Sequence, residues 1–415
     1  MLKSTFNNHP VTFDFSPSEG LTVSPSYGDP PTTISTSSLV CVRPDEEPDS
    51  YTLIQQVTPT ELICTPITNP PAALLDKYLL RKLPPHLDPK LSDVTIIVSS
   101  ASGGGAAAAF YENTVAPLCA ALELSPTVIR TTSPTTISET VAQASSKAGG
   151  KQSTILLLGG DTAVHEAINA ARAPVTLAIF PLGTGNALAN SYHVVRGRSP
   201  VYSLLFGTPK LLPTFTATFS AGAKWVHGAA ADPVRGAVVL SWGFHASLVA
   251  DAETLRGEGV GTERFQTAAG ENLKPPLHRY TGKISFLDSD GNWEVVGEEN
   301  HFYATATLCS NLEEKFCISP KSVPGEMRLR LVYFKCLESG EEVMDLMMAA
   351  YAKGKHVERD EVRYEAVKGV RIEIHEKEEK WRRVCVDGGI AVLPEGGQVE
   401  VKMDEKEVVK LVWAD

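Results

Sequence analysis

The chain of 415 residues has no long apolar run. No stretch reaches the roughly 18 uninterrupted apolar residues of a membrane-crossing helix, and the opening MLKSTFNNHPVTFDF lacks the apolar core of a secretory signal. An intracellular protein is expected. Cysteine is sparse: Cys41, Cys64, Cys119, Cys309, Cys317, Cys336 and Cys385 are odd in number, scattered and without CxxC spacing. That pattern gives no disulfide framework and no zinc site, and predicts free thiols. The ten histidines form no HxH or HxxxH pair, so a transition-metal site has no support. Positive charge is short as well. With a net charge of −11 and no Lys/Arg block, the chain lacks the basic surface that tracks nucleic-acid phosphates. The GxGxxG and GxxxxGK[ST] fingerprints of dinucleotide and P-loop sites are also missing.

What is present is a core-forming composition, 43% hydrophobic, on a chain long enough for two or three domains. Residues 1–90 are rich in Pro, Ser and Thr, with short β-branched runs and a proline-rich connector, RKLPPHLDPK, and read as a small β segment and linker. Residues 91–205 alternate apolar runs with periodic segments. VTIIVSS, VIRTT, TILLLGG and VTLAIFPLG read as strands, with helices expected at 107–124 (kinked at Pro117), 136–147, 163–172 and 186–195. Thr136 and Glu139 have capping-box spacing. In the third helix Val164, Ala167, Ile168 and Ala171 make one apolar face. Successive βα units imply a parallel sheet, so this part is expected to be a Rossmann-like α/β domain. Residues 206–415 read as a β-rich, sandwich-like domain, with a hairpin at Asp290-Gly291 and one helix at 341–353.

Three glycine-bearing loops stand where a strand is followed by a helix: SSASGGGAAAAF at 99–110, LLGGDTAVHEAIN around Gly159-Gly160-Asp161, and PLGTGNALAN around Gly183-Thr184-Gly185-Asn186. Glycine lets backbone approach a phosphate closely, and the following helix offers free N–H groups. The alternative is a set of tight βα turns with Asp161 or Asn186 as helix caps.

LLGGDTAVHEAIN resembles the GGDG-type motif, and PLGTGNALANS the following GTGN loop, of the diacylglycerol and sphingosine kinase family. SWGFHASLVADAETLR with ERF at 263–265, AYAKGKHVERDEVRYEAVKGVRIEI and RRVCVDGGIAV resemble later segments of the sphingosine kinases, in order, from about Val94 onward. The resemblance is nearest the sphingoid-base branch. It implies an ATP- and Mg²⁺-dependent lipid kinase with a diacylglycerol-kinase-type catalytic domain, acting on a primary hydroxyl of a sphingoid base or related lipid. Asp161 takes the catalytic position. Nucleotide contacts are implied at Ser99, Ser102, Gly103, Thr131, Gly159, Gly160, Asp161, Thr162, Gly183, Thr184, Gly185, Arg256, Arg264, Asp387 and Gly389. Phe244, His245 and Ser247 fall at the lipid site, and Mg²⁺ is expected on the ATP phosphates with Asp161 or Asp387 beside it. The family pattern is broken at Ser99, at Thr162-Ala163, at Ser247, where sphingosine kinases have an aspartate facing the lipid head, and at Gly389, where they have Glu. Trp242 and Phe244 read equally well as core, and His245 and His356 as buried histidines. Three further readings stay open: a diacylglycerol or ceramide kinase, an NAD kinase-like enzyme, and a weak or non-catalytic lipid-binding protein on the same fold. A lipid acceptor implies a cytoplasmic protein with reversible, peripheral membrane contact.

Overall fold

The computed structural model describes residues 4–100, 102–146, 150–195, 200–261, 263–406 and 408–414. Seven antiparallel strands between Ser4 and Thr68 form one sheet, more than the small β segment expected. Val11, Leu21, Val23, Leu53 and Ile67 are its core, closed by Leu74 from helix α1 (Ala72–Tyr78). The outer faces of the strands carry Ser and Thr, so their alternation is muted in sequence. This sheet is welded to the α/β unit. Val40, Cys41, Ile54 and Leu62 share a core with Phe110, Leu118 and Phe180, and Thr114 Oγ1 donates to Thr60 O at 2.8 Å.

The α/β sheet has six strands in the spatial order Thr127–Arg130, Ser92–Val98, Gln152–Gly159, Val175–Pro181, Val409–Trp413 and Thr208–Leu211. All pairs are parallel except the last. Both faces of the central strand are buried. Ile155 and Leu157 pack under the helices on one side, and Leu156 and Leu158 on the other. Two strands of this sheet, Thr208–Leu211 and Val409–Trp413, come from beyond residue 205, where the second domain was expected to begin.

The connecting helices depart from expectation in local detail. The segment 107–124 is α2 (Ala106–Phe110), a π turn at Tyr111–Val115, and α3 (Ala116–Ala121). Pro117 sits in the first turn of α3, where its missing N–H is harmless, and the π turn takes up the change of register. In α4 (Thr136–Ser145) the cap position is Thr135 and no side chain caps it; Thr136 Oγ1 instead accepts the N–H groups of Thr132 and Ser133. Lys147, expected in this helix, lies outside the described residues. Next come α5 (Asp161–Ala170), a short α6 (Ala187–Ser191) in place of the expected 186–195, and α7 (Val201–Phe206).

The remaining strands build two antiparallel sheets, of six and seven strands. They face each other across Phe215, Ile284, Val370 and Val401 from one and Trp242, Leu331, Val384 and Ala391 from the other. The Asp290-Gly291 turn joins Gly282–Leu287 to Trp293–Gly297, and Asp288 Oδ1 accepts the N–H groups of Asp290 and Asn292. Three helices interrupt this half rather than one: α8 (Phe244–Gly257), α9 (Arg264–Asn272) and α10 (Gly340–Tyr351). Small residues, Ala246, Ala250 and Ala252, form much of the buried side of α8, so it shows no stripe of large apolar side chains. All seven cysteines are free. Among the described residues no helix is long and apolar enough to cross a membrane.

Candidate active site

In the α/β sheet the chain runs outward from Ser92–Val98 to one side and continues from Gln152–Gly159 to the other. The crevice beyond the carboxyl ends of these two strands is where open α/β sheets bind ligands. The three glycine loops meet there. A Cβ on Gly159 would fall 3.5 Å from Ser102 Oγ, one on Gly160 2.9 Å from Gly183 Cα, and one on Gly103 2.6 Å from Leu182 O. The last two are backbone contacts too close to admit a side chain.

Gly103, Gly104 and Gly105 all have positive φ, a run of left-handed residues that glycine adopts without strain. Around Gly104 and Gly105 there is open space. Ser99 is buried and accepts from Ser102 Oγ at 2.9 Å, so it braces the loop. Thr131 Oγ1 accepts the Ser100 N–H at 2.8 Å and fastens the same loop from the next strand. Thr184 and Thr162 are exposed at the rim.

Asp161 is the half-buried centre of the cluster. It does not cap its own helix: the cap of α5 is Gly160. Its carboxylate instead accepts the N–H groups of Ala187 (2.7 Å to Oδ2) and Leu188 (3.1 Å to Oδ1), at the start of α6. Asn186, the formal cap of α6, has left-handed backbone and turns inward, accepting from Gly183 N at 2.9 Å and donating to Gly183 O at 2.8 Å. Asp161 thus ties the second loop to the third, and Asn186 closes the third on itself. Burial raises the Asp161 carboxyl from 3.8 to about 6, the two N–H groups pull it back, and Asp387 pushes it further up.

Asp387 has left-handed backbone, and its buried carboxylate accepts N–H groups from Ala237 (2.6 Å), Val238 (3.0 Å) and Val239 (2.8 Å), with His165 Nδ1 3.5 Å away. Its side chain is 1% exposed. It fixes the turn that brings Gly388 to Thr162, whose Oγ1 lies 4.0 Å from a Cβ built on that glycine. Gly389 points elsewhere: a Cβ there would meet Trp225 and Val386 O, each at 3.3 Å.

Arg256 is exposed near the end of α8 and pairs with Glu253 at 3.2 Å. Arg264 is buried; Nη1 donates to Gly261 O at 3.1 Å, while Nε has no partner. Helices α8 and α9 run antiparallel, tied by Asn272 to Asp251, which leaves both arginines at the opposite end of the pair.

The residues expected at a lipid site are packed in. Trp242 is core, with Nε1 donating to Trp381 O at 3.1 Å. Phe244 stacks on Phe302, and Ser247 Oγ bonds Tyr280 Oη at 2.8 Å, both hydroxyls buried. His245 Nδ1 bonds Ser241 Oγ at 2.7 Å, and burial lowers its pKa to about 4, so the ring is neutral. His356 is buried against Ile318 O. Sequence reading missed the way Asn186 closes its own loop on Gly183 and the grip of Asn169, which exchanges two hydrogen bonds with the backbone of Arg235 and holds α5 against the β-rich half. The N of GTGN was a visible signal for the first; nothing in sequence marks the second.

This geometry agrees with comparison to known proteins. Residues 93–205 match the diacylglycerol kinase catalytic domain. That span contains all three glycine loops and Asp161. Two structures from Bacillus anthracis str. Sterne, described as candidate diacylglycerol kinases, share the fold: one at TM-score 0.55 and 17% identity, the other at 0.54 and 16%, each covering 78% of this chain and 97% of its own. A structure of an NAD kinase from Archaeoglobus fulgidus in complex with ATP aligns at TM-score 0.34 and 11% identity over 77% of this chain and 93% of its own. No curated protein sequence matches the chain.

Proposed function

We propose that the protein is an ATP-dependent lipid kinase. The observation that carries this is the convergence of three glycine loops on Asp161 at the sheet's crevice, within a segment that matches a lipid kinase catalytic domain. The left-handed glycines 103–105 and their open space suit nucleotide phosphates. In the reaction, the oxygen of a lipid hydroxyl bonds to the γ-phosphorus, the bond from that phosphorus to the β-bridging oxygen breaks, and ADP leaves with the electron pair. The hydroxyl proton passes to Asp161, whose pKa of about 6 leaves it ionised yet basic at neutral pH. Arg264, with a free Nε, and Arg256 are the cations assigned to the phosphates. Among the described residues no group of three or more His, Cys, Asp or Glu could hold a metal. Mg²⁺ would therefore come on the ATP phosphates, with Asp161 the nearest carboxylate that retains exposure; Asp387 is closed off by three N–H groups.

Within the lipid class, the buried Ser247–Tyr280 pair favours an uncharged acceptor, of the diacylglycerol or ceramide type, over a sphingoid base. Its hydroxyls are bonded to each other and bring no negative charge for an ammonium group. The nearby Asp251 is already paired with Arg383 at 2.8 Å, and Arg383 Nη2 is buried without a partner. The test is mass spectrometry of products after ATP is offered with diacylglycerol, ceramide, sphingoid bases and NAD. Phosphorylated diacylglycerol or ceramide is expected. Phosphorylated NAD would replace this reading with the NAD kinase one, and tight nucleotide binding without any product would replace it with the non-catalytic one.

A further inference from the structure

The first glycine loop opens a helix that is irregular in its middle. Ser102–Gly105 passes directly into α2, and α2, the π turn at Tyr111–Val115 and α3 follow one another with right-handed helical backbone at both junctions. A π turn holds one residue more than an α turn, so it rotates the loop end of the helix by about 100° about its axis relative to the α3 end. The place of Gly103, whose Cβ position lies 2.6 Å from Leu182 O, therefore depends on this turn being kept.

Two grips hold the turn. Thr114 is fully buried, and its Oγ1 leaves its own helix to donate to Thr60 O at 2.8 Å. A buried helical threonine otherwise returns its hydroxyl to a carbonyl one turn back. Thr60 lies between the strands Ser50–Thr58 and Glu61–Thr68 of the N-terminal sheet, and Gln56 staples that connection by donating to Thr58 O at 2.9 Å and Glu61 O at 3.1 Å. Past the π turn the same sheet keeps hold of α3. Cys64 Sγ lies 3.8 Å from Pro117 O, and Arg43 donates to Ala121 O and pairs with Glu123 at 2.9 Å. The second grip is Arg130, which pairs with Glu112 at 2.5 Å and lies over the Tyr111 ring. Its neighbour Thr131 fastens the glycine loop, accepting the Ser100 N–H on Oγ1 and the Ser100 hydroxyl on its carbonyl at 2.6 Å. One of the two anchors thus lies outside residues 93–205, in a sheet that the catalytic-domain match does not include.

We propose that the N-terminal sheet sets the position of the nucleotide loop, with Thr114 as the positioning residue through which it acts. The proposal rests on the kinase reading for the nucleotide that the loop meets. Held by Thr60, the π turn keeps its extra residue and Gly103 keeps its place against Leu182. Released, the helix can relax toward regular α geometry and carry the loop with it.

The experiment measures ATP affinity by titration calorimetry and amide hydrogen exchange across residues 102–110, both on the full chain and well below its thermal midpoint. Thr114→Val keeps the shape and removes the hydroxyl. It is expected to weaken ATP binding by about three- to tenfold, the worth of one hydrogen bond, and to speed exchange in that segment. Thr114→Ser restores the donor and is expected to behave as wild type. Arg43→Met loosens the same sheet's hold at the far end of α3 and is expected to move both readouts in the same direction. A contact that is merely structural would lower the midpoint and leave both readouts alone. That result in Thr114→Val would overturn the proposal; if this variant does not fold, the same result in Arg43→Met would. Hydrogen exchange needs no nucleotide. A wild type that binds no ATP, together with faster exchange in Thr114→Val, would therefore end the kinase reading and leave the sheet's hold on the loop standing.

Discussion

Replacing Asp161 by Asn removes a charge from the middle of the loop cluster, but it does not leave the local structure untouched. The carboxylate accepts two N–H groups, from Ala187 at 2.7 Å and Leu188 at 3.1 Å. Each N–H has its own oxygen, and an amide keeps one oxygen only; its NH₂ must then face the other N–H. Losing one charge-assisted hydrogen bond costs about 1.5–3 kcal/mol. Relief from burying an ionised carboxylate, whose pKa is pushed up to about 6, offsets part of that near neutral pH. A drop of a few degrees in Tm is expected. If Asp161 accepts the proton, turnover should also fall by about a hundredfold or more. The two effects separate when product formation at saturating Mg²⁺-ATP is measured well below the variant's Tm, with the folded fraction checked by circular dichroism. An unchanged rate per folded molecule would refute the catalytic assignment and leave Asp161 as a strut between two loops. The pH dependence gives a second reading of the same residue. Because its folded pKa is raised from 3.8 to about 6, its contribution to stability is fully present below 3.8 and is lost as pH rises through 6. Its contribution to turnover has the opposite sense: the wild-type rate should fall as pH drops through about 6, and the variant's residual rate should not.

Gly160→Ala places a methyl 2.9 Å from Gly183 Cα, against backbone that cannot swing aside, and should cost about 1–3 kcal/mol while weakening ATP binding, as calorimetry would show. Asn169→Ala removes both hydrogen bonds to Arg235 and should lower stability by about 1–3 kcal/mol in denaturant titration; full retention of stability would mean that the pair does not hold α5 in place. His245, held neutral by burial with a pKa near 4, should show no titration of its ring resonances between pH 5 and 8. Gly389→Glu should leave turnover unimproved, since a side chain there meets Trp225 rather than the loop cluster.

The parts of the fold that could be read from the sequence are those whose signals are local. ILLLGG is a run of strand residues ending in glycines, and the helix after it has a stripe of Val164, Ala167 and Ile168, so strand, loop and helix are all visible within about twenty residues. The same holds for the GTGN loop. What could not be read depends on partners far along the chain. Asp161 reads as the cap of its own helix, because the α6 N–H groups that it serves lie in a different loop. Likewise KLVW is an ordinary edge-like run until it is seen beside Val175–Pro181. Helix α8 was hidden because alanines and a serine pack without a large apolar period. A β segment was legible at the N-terminus, but the full seven-stranded extent of the sheet was hidden by polar outer faces and by a strand of only three residues.

The strand Val409–Trp413 has a consequence for how the molecule comes into being. It pairs in parallel with Val175–Pro181 and carries Thr208–Leu211 on its far edge, while Trp413 rests against Tyr192. A ribosome that has released everything through residue 403 has therefore delivered both antiparallel sheets of the second half but left the α/β sheet one strand short. Until residues 409–413 slide in, the backbone of Val175–Leu177 stands unpaired along one edge, open to chaperones or to a neighbouring nascent chain. A sheet begun early in synthesis is thus completed only by a strand made more than two hundred residues later, and damage to those five residues would be felt in the sheet that carries the glycine loops.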